Sequence, residues 1–99
     1  MKAFWRSRRD AAPDPEAAFG LATRLAEEGD IDGAREAYQV AIDSGHPDVA
    51  PRAMVDLGNL IGDSLYPENA RPLYQAAVDS GHPEAAREAA RHLAGRKDL

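Results

Sequence analysis

The sequence predicts an all-α fold of five helices, arranged as helix–turn–helix repeats that stack on one another. Three observations predict it. A nine-residue phrase occurs twice, as IDSGHPDVA at residues 42–50 and as VDSGHPEAA at residues 78–86. The 36-residue spacing of these two copies recurs along the rest of the chain. Each period also contains two segments whose apolar residues follow helical spacing.

The period of 36 residues extends well beyond the repeated phrase. Residues 34–58 aligned with residues 70–94 give thirteen identities in 25 positions. At the same offset, residues 21–22 align with residues 57–58, and those align with residues 93–94. Periods of about 20–50 residues are typical of repeat proteins, in which each unit buries its apolar face against the next. We expect about 2.5 repeats between residues 15 and 99, with the last helix as a cap.

The first period contains two predicted helices. Residues 16–29 form the first, which Gly29 can end in the left-handed conformation, and Asp30 or Asp32 can cap the second. The second helix covers residues 33–44 and places alanines beside Tyr38 on one stripe. The apolar positions are Phe19, Ala22, Leu25 and Ala26 in the first helix, and Ala34, Tyr38, Ala41 and Ile42 in the second.

The repeated phrase is interpreted as the joint between helices. Gly45 and Gly81 stand where a helix stop is required, and Pro47 and Pro83 stand in the first turn of the next helix, where a missing N–H costs nothing. An acidic residue follows each proline and complements the positive end of the helix dipole. The phrase therefore ends one helix, links it to the next and begins the next helix.

The same phrase also admits a catalytic interpretation, through Asp43, Ser44 and His46. A nucleophile, its base and the group that orients the base must be joined by hydrogen bonds of about 2.6–3.2 Å. Three residues around a helix end point in different directions, and no oxyanion motif accompanies them. We expect Ser44 and Ser80 to bond nearby backbone instead. The prediction is that the chain is not an enzyme and has no catalytic residue.

A metal site would need three or four converging ligands, and the repeated histidines do not supply them. His46 and His82 belong to neighbouring repeats, which helix packing separates by about 10 Å. They are interpreted as linker residues bonding the adjacent turn, and His92 is expected to be alone and exposed. No metal and no cofactor is predicted. The acidic residues Glu27, Glu28, Asp30 and Asp32 are interpreted as a solvated helix end rather than a calcium loop.

Tyr38 and Tyr74 could stack on a ligand, but their spacing beside small alanines favours packing between helices. Gly58 fits the same interpretation, because a residue without a side chain lets two helices approach each other closely. The second period carries two prolines within residues 62–72, so its second helix should begin near Asn69 or bend at Pro72. Tyr66 is expected to be half-exposed there. The last helix has a polar face formed by Arg87, Glu88 and Arg91.

Composition limits the classes of partner. The chain has 99 residues, is 43% hydrophobic and 29% charged, has no cysteine and carries a net charge of −5. Four cations lie in the first nine residues, so the remainder holds seventeen acids against eight bases, a net charge of −9. Such a body repels nucleic acid phosphates. No apolar run reaches the roughly 18 residues of a membrane span, and no signal peptide is apparent. We expect a cytoplasmic protein.

Residues 1–14 are predicted to form a flexible basic and aromatic arm. The arm contains Lys2, Arg6, Arg8 and Arg9 together with the Phe4–Trp5 pair, and prolines at 13 and 15 oppose a helix. Aromatic residues beside cations can bind membranes or single-stranded nucleic acid. A disordered tail is the alternative interpretation. Residues 15–99 would then form the repeat domain.

The repeat resembles the tetratricopeptide (TPR) family. That pattern has a Leu-Gly pair followed by an aromatic position on the first helix, then Ala and an aromatic residue four positions later on the second helix, and a closing Pro. The Ala-x3-Tyr-x2-Ala-x3-Gly-His run also resembles SEL-like repeats. The positions in register are Leu57, Gly58, Ile61, Ala70, Tyr74 and Pro83, and less fully Leu21, Ala22, Leu25, Ala34, Tyr38 and Pro47.

The resemblance implies antiparallel helix pairs in a right-handed superhelix, with a concave face made by the first helix of each repeat. TPR proteins are usually scaffolds that bind a peptide or a partner helix on this face. Asp56 and Glu88 would repel a carboxylate there, so a mixed or weakly basic segment is the expected ligand. The residues expected to bind peptide are Phe19, Thr23, Arg52, Val55, Asn59 and Arg91, and Glu16, Asp56, Glu88 and His92 should share their face.

The expected function is therefore a non-catalytic protein–protein interaction scaffold that binds a protein or peptide partner. The alternative is a structural repeat module that forms homo-oligomers through its terminal helices. No nucleic acid partner and no membrane span are expected.

Overall fold

The computed structural model describes residues 14–97. Within this range the chain is all-α, contains no β-strand, and has the five predicted helices. They are α1 (Pro15–Glu27), α2 (Ile31–Asp43), α3 (Val49–Gly62), α4 (Arg71–Asp79) and α5 (Pro83–Gly95), with a short 3-10 helix (Pro67–Ala70) before α4. The predicted arm falls almost entirely outside the described residues. None of the helices between residues 14 and 97 has the length and apolar character needed to cross a membrane.

Two aspartates begin the first helix pair. Asp14 Oδ1 accepts a hydrogen bond from the Glu16 N–H at 3.1 Å, and Pro15 takes the first helical position. Asp30 Oδ1 accepts the Gly33 N–H at 3.0 Å and thus caps α2. Of the two cap candidates for α2, Asp30 is therefore the one used.

The repeated phrase makes the same helix stop twice. Gly45 and Gly81 have φ angles of +70° and +76°, which only glycine adopts without strain. Ser44 Oγ donates to the Ala41 carbonyl at 2.6 Å and accepts the His46 N–H at 3.1 Å. Ser80 repeats both bonds in the second copy. The prediction that these serines bond the backbone at helix ends is confirmed.

Each histidine of the phrase caps the helix that follows it. His46 Nδ1 accepts the Val49 N–H at 3.1 Å, and His82 Nδ1 accepts the Ala85 N–H at 3.1 Å. Pro83 is the first residue of α5, as predicted. The assigned helix α3 begins only at Val49, because Pro51 has no N–H to bond the Pro47 carbonyl. The Ala50 N–H nevertheless bonds the His46 carbonyl at 3.0 Å, as the Ala86 N–H bonds the His82 carbonyl at 2.8 Å, so Pro47 also lies in the first turn, as predicted. In this copy the His46 ring also accepts the Asp48 N–H at 3.2 Å.

The start of α4 lies close to its predicted position. The 3-10 helix Pro67–Ala70 runs directly into α4 at Arg71, so the chain turns helical two residues before Asn69. Pro72 is the second residue of α4, where its missing N–H disturbs no helical hydrogen bond. Tyr66, expected to be half-exposed, is 62% exposed.

Consecutive helices pack on one another, and short connections make them antiparallel. As a result α1, α3 and α5 lie side by side in one row. Arg52, near the start of α3, lies over Phe19, near the start of α1, so these two helices run in the same direction. At the far end of the row, Arg96 Nη2 donates to the Gly62 carbonyl at 2.6 Å.

Small residues and tyrosines form the core, as predicted for the packing of Tyr38 and Tyr74. Tyr74 is fully buried and Tyr38 is 4% exposed. A Cβ atom built on Gly58 would lie 2.8 Å from Tyr74 Cε1, so the ring requires a glycine on α3. The close approach expected at Gly58 is therefore present between α3 and α4.

Candidate functional site

A groove runs across the N-terminal halves of α1, α3 and α5 and encloses about 200 Å³. Its floor is apolar and its rim is charged. Val55, only 2% exposed, closes the bottom of the groove. We call this feature the row groove, and its lining residues are Phe19, Arg52, Val55, Asp56, Glu84, Ala85 and Glu88.

Arg52 is the one cation among residues 14–97 that lines the row groove, and other side chains of the protein already bind it. Its Cζ atom lies 5.1 Å from the centroid of the Phe19 ring, a cation–π distance. Its Nη1 donates to Asp48 Oδ2 at 3.2 Å. Asp48 Oδ1 in turn lies 2.7 Å from His82 Nε2. This chain of contacts joins the N-terminal ends of α1, α3 and α5.

The tautomer of His82 follows from its two contacts. Its Nδ1 accepts the Ala85 N–H, so in the neutral ring the proton resides on Nε2 and is donated to Asp48. The hydrogen bond from His82 is the main reason that the pKa of Asp48 is lowered. His82 therefore acts as a link between the start of α3 and the start of α5.

Asp56 differs from Asp48, because it is half-buried and accepts no hydrogen bond from residues 14–97. Burial is the main cause that raises its pKa above the ordinary value. The charge of Glu88 raises the pKa further, and the charge of Arg52 partly opposes both effects. The row groove thus holds a carboxylate whose surroundings disfavour its negative charge.

The acidic character continues past Asp56 toward the C-terminal ends of α1 and α3. A second, more open depression of about 260 Å³ shares Asp56 with the row groove. Asp63 adds a further carboxylate there. The lining residues are Ala26, Tyr38, Asp56, Asn59, Leu60 and Asp63. The face of the row therefore presents four carboxylates along two adjoining depressions and a single guanidinium.

The structure brings three of the predicted binding residues together in the row groove: Phe19, Arg52 and Val55. Asp56 and Glu88, predicted to share their face, also line it. Glu84 and Ala85 line the groove as well, although the sequence analysis passed over them. The signal was available, because Glu84 is the counterpart of Asp48 at an offset of 36 residues.

Thr23 and Asn59 lie deeper, beside the buried tyrosines. Tyr74 donates its hydroxyl proton to Asn59 Oδ1 at 2.6 Å. The Tyr38 and Thr23 hydroxyl oxygens stand 3.5 Å apart in the equivalent place of the preceding unit. Part of the hydrogen-bonding capacity of both predicted binding residues is therefore used within the fold.

The remaining members of the predicted face lie outside the row groove. Arg91 is exposed on α5, and Glu16 is exposed in the first turn of α1. The expectation for His92 is wrong, because its ring is partly buried and stacks on Tyr74 with centroids 4.9 Å apart. Its Nε2 also lies 3.7 Å from Glu88 Oε2. His92, one turn beyond Glu88 on α5, therefore packs on the buried tyrosine of α4.

The three side chains of the catalytic alternative point to separate partners. Asp43 Oδ1 accepts from Gln39 Nε2 at 2.9 Å, Ser44 Oγ bonds backbone, and His46 Nδ1 caps α3. No hydrogen bond joins the serine hydroxyl to the imidazole ring in this part of the chain. Among residues 14–97, histidines and acidic side chains form no group of three that could hold a metal ion.

Comparisons of the chain with protein-family models, with curated proteins and with solved structures return no match.

Proposed function

We propose that the protein is a non-catalytic, cytoplasmic interaction module whose row groove binds a positively charged segment of a partner protein. The observation that carries the proposal is Asp56. This carboxylate is half-buried between Glu88 and Arg52 and accepts no hydrogen bond from the described residues. A cation supplied by a partner would provide the missing counter-charge.

The size of the row groove supports a polypeptide ligand over a small molecule. Its volume of about 200 Å³ is below the roughly 300–1,000 Å³ of small-molecule sites. A single long side chain fits a groove of this kind. A lysine or arginine can lay its aliphatic stem along apolar surface while its charged end meets the carboxylates. Phe19, Val55 and Ala85 offer that surface beside Asp56 and Glu88.

The chemistry of the lining supports the binding of a cation. Among the described residues, the charged side chains that line the row groove are three carboxylates, Asp56, Glu84 and Glu88, and the guanidinium of Arg52.

A TPR-like or SEL-like array is the architecture that we propose for this module. The parallel row of α1, α3 and α5 corresponds to the first helices of successive repeats, which such arrays use for binding. The duplicated joint supports the same assignment, because both copies use equivalent serine, glycine and histidine contacts. In this arrangement the row groove would lie on the concave face of a right-handed superhelix.

The test is a binding titration with two fluorescein-labelled peptides of twelve residues, one alternating Lys and Ala and the other alternating Glu and Ala. We expect only the basic peptide to bind, with an affinity that falls as salt is added. The variant Asp56→Asn should weaken binding by roughly tenfold, since loss of one charge pair in a partly buried site is worth about 1.4 kcal/mol. Asp32→Asn removes the same charge from exposed α2 and is the matched control.

Two results would contradict the proposal. One is equal affinity of the two peptides. The other is an affinity for the basic peptide that Asp56→Asn and Asp32→Asn lower to the same extent, because that would indicate a general attraction to the net negative charge.

A further inference from the structure

We propose that the basic segment 1–13 of this same chain occupies the row groove, so that a partner must displace it. The inference rests on the proposed function, in that the row groove must accept a cation. It adds which segment fills the groove before a partner binds. The groove of the free protein is then blocked by the chain's own N-terminal segment.

Charge complementarity is the first argument. Segment 1–13 contains four cations, Lys2, Arg6, Arg8 and Arg9, and a single acid, Asp10. The row groove presents Asp56, Glu84 and Glu88 against one guanidinium that Phe19 and Asp48 already engage. The most basic part of the sequence and the acidic row face thus have opposite charge.

The point at which the segment joins the fold is the second argument. The described chain begins at Asp14, the N-cap of α1, and Phe19 follows on the second turn of that helix. A helix rises 1.5 Å per residue, so Phe19 lies only about 8 Å along the axis from Asp14. The other lining residues come from the N-terminal half of α5 and from the first half and the middle of α3, where Asp56 is the eighth residue. The segment therefore emerges beside the groove.

The reach of the segment is sufficient. An extended chain spans about 3.3 Å per residue, so Arg9 can stand up to about 17 Å from Asp14, and Arg6 up to about 26 Å. Across the row, α3 lies one helix spacing from α1, about 10 Å, and α5 lies two, about 20 Å. The reach of Arg6 covers both helices, and the reach of Arg9 covers α3. A short tether also gives an effective concentration on the order of millimolar, so ion pairs that are weak between molecules suffice within one chain.

The exposed apolar surface elsewhere is a poorer destination for this segment. Leu65 and Tyr66 are the most exposed large apolar residues of the described chain, and with Ile31 they follow the C-terminal ends of α3 and α1. They therefore lie about 20 Å, the length of α1, from the end where the segment enters. Arg35 is the charged residue that lines the depression there, and it would repel a basic segment.

The test compares the full-length wild-type chain with the variant Lys2→Gln/Arg6→Gln/Arg8→Gln/Arg9→Gln. The probe is a fluorescein-labelled peptide with the sequence of residues 1–13, titrated with each protein at low salt. We expect the quadruple variant to bind the probe about tenfold more tightly than wild type, because the tethered competitor is removed. Adding Asp56→Asn and Glu88→Gln to the variant should abolish the gain, whereas adding Asp32→Asn and Glu68→Gln should preserve it. Equal circular dichroism spectra establish that the helices are retained.

The outcomes separate this inference from the proposed function. Equal and measurable binding by wild type and the quadruple variant would overturn the self-blocked groove and leave the proposed function standing. Binding by neither would contradict both. A wild-type mass that doubles with concentration, and stays monomeric in the quadruple variant, would overturn occupation within one chain in favour of exchange between two chains.

Discussion

Two tyrosines at equivalent positions of the repeat differ in the hydrogen bonds of their hydroxyl groups, and that of Tyr74 also bonds the Arg96 side chain. The Tyr74 hydroxyl donates to Asn59 at 2.6 Å, whereas the oxygens of Tyr38 and Thr23 are 3.5 Å apart, at the limit of hydrogen bonding. Both rings are buried and burial raises the pKa of both hydroxyls. The two repeats therefore provide an internal comparison of two buried tyrosines whose hydroxyl contacts differ.

We expect Tyr74→Phe to lower the free energy of unfolding by about 1 kcal/mol, the usual net value of a buried hydrogen bond. Tyr38→Phe should change it by less than about 0.5 kcal/mol, because a contact of 3.5 Å contributes little. Urea unfolding followed by circular dichroism measures both. Equal losses in the two variants would show that the hydroxyl of Tyr74 is not used as its geometry indicates.

The pKa shifts of Asp56 and Asp48 have opposite signs, and each predicts a different pH dependence. Burial raises the pKa of Asp56, so the folded state holds this proton more tightly than the unfolded state, and stability falls as pH rises above 3.8 toward the folded pKa. The hydrogen bond from His82 lowers the pKa of Asp48, so its contribution is present above 3.8 and is lost as pH falls through the folded pKa.

Asp56→Asn should therefore stabilise the protein at pH 7, by about 0.5 kcal/mol because solvent screens a half-exposed carboxylate, and should have no stabilising effect at pH 3. Asp48→Asn should destabilise at pH 7 and have little effect at pH 3. Urea midpoints of the two variants at both pH values measure the effect. A gain from Asp56→Asn that persists undiminished at pH 3 would exclude the carboxylate charge as its cause.

At the scale of the element, the contact between α3 and α4 depends on a glycine. A methyl group on Gly58 would meet the Tyr74 ring at 2.8 Å, whereas a methyl group on Gly20, in the middle of α1, would meet nothing within 4 Å. Both glycines lie inside helices with ordinary backbone angles. Their helix propensity is thus the same, and only the packing distinguishes them.

We expect Gly58→Ala to destabilise the protein by about 1–3 kcal/mol through overpacking. Gly20→Ala should stabilise it by about 0.5–1 kcal/mol, since alanine is the better helix former and the site is open. Thermal unfolding measures the two midpoints. A stabilised Gly58→Ala variant would mean that α3 and α4 separate more readily than their packing suggests.

The repeat period made the elements predictable, and the exceptions depend on contacts between residues that are distant in the sequence. Helical spacing, the two glycine stops and the serine contacts follow from the sequence because they depend on neighbours within four residues. The role of His92 did not, because its stacking partner, Tyr74, is eighteen residues away. The lining of the row groove was predictable in part, since repeat position places Phe19, Arg52 and Val55 on first helices. Glu84 could have been found from its 36-residue offset to Asp48, whereas Ala85 required knowledge of how α5 lies against α3.

At the scale of the whole molecule, the charge pattern favours a monomer. The acidic body carries a net charge of −9 after the first nine residues, and its copies repel one another. The described face of α5 is rimmed by exposed charged residues, among them Glu84, Arg87 and Arg91. The surface of α5 therefore offers little of the apolar area that a stable dimer buries.

We accordingly expect a mass near 10.7 kDa by light scattering, constant over a hundredfold range of concentration. Growth toward a dimer would favour the self-assembling module over the peptide scaffold. In that case Arg91→Glu, on the exposed side of α5, identifies association through the terminal helix if it restores the monomer.

The duplicated joint has a consequence for how this molecule can lengthen. Tyr74 meets Asn59 fifteen residues away, and His82 meets Asp48 thirty-four residues away, so both contacts fit inside one period. A gene duplication that copies residues 47–82 in tandem would insert a segment carrying both partners of each contact, in register with its neighbours. An insertion of any other length would put the contacting residues of neighbouring units out of register. The repeat array can therefore lengthen in steps of 36 residues. Evolution can add such units without changing the contacts in the core.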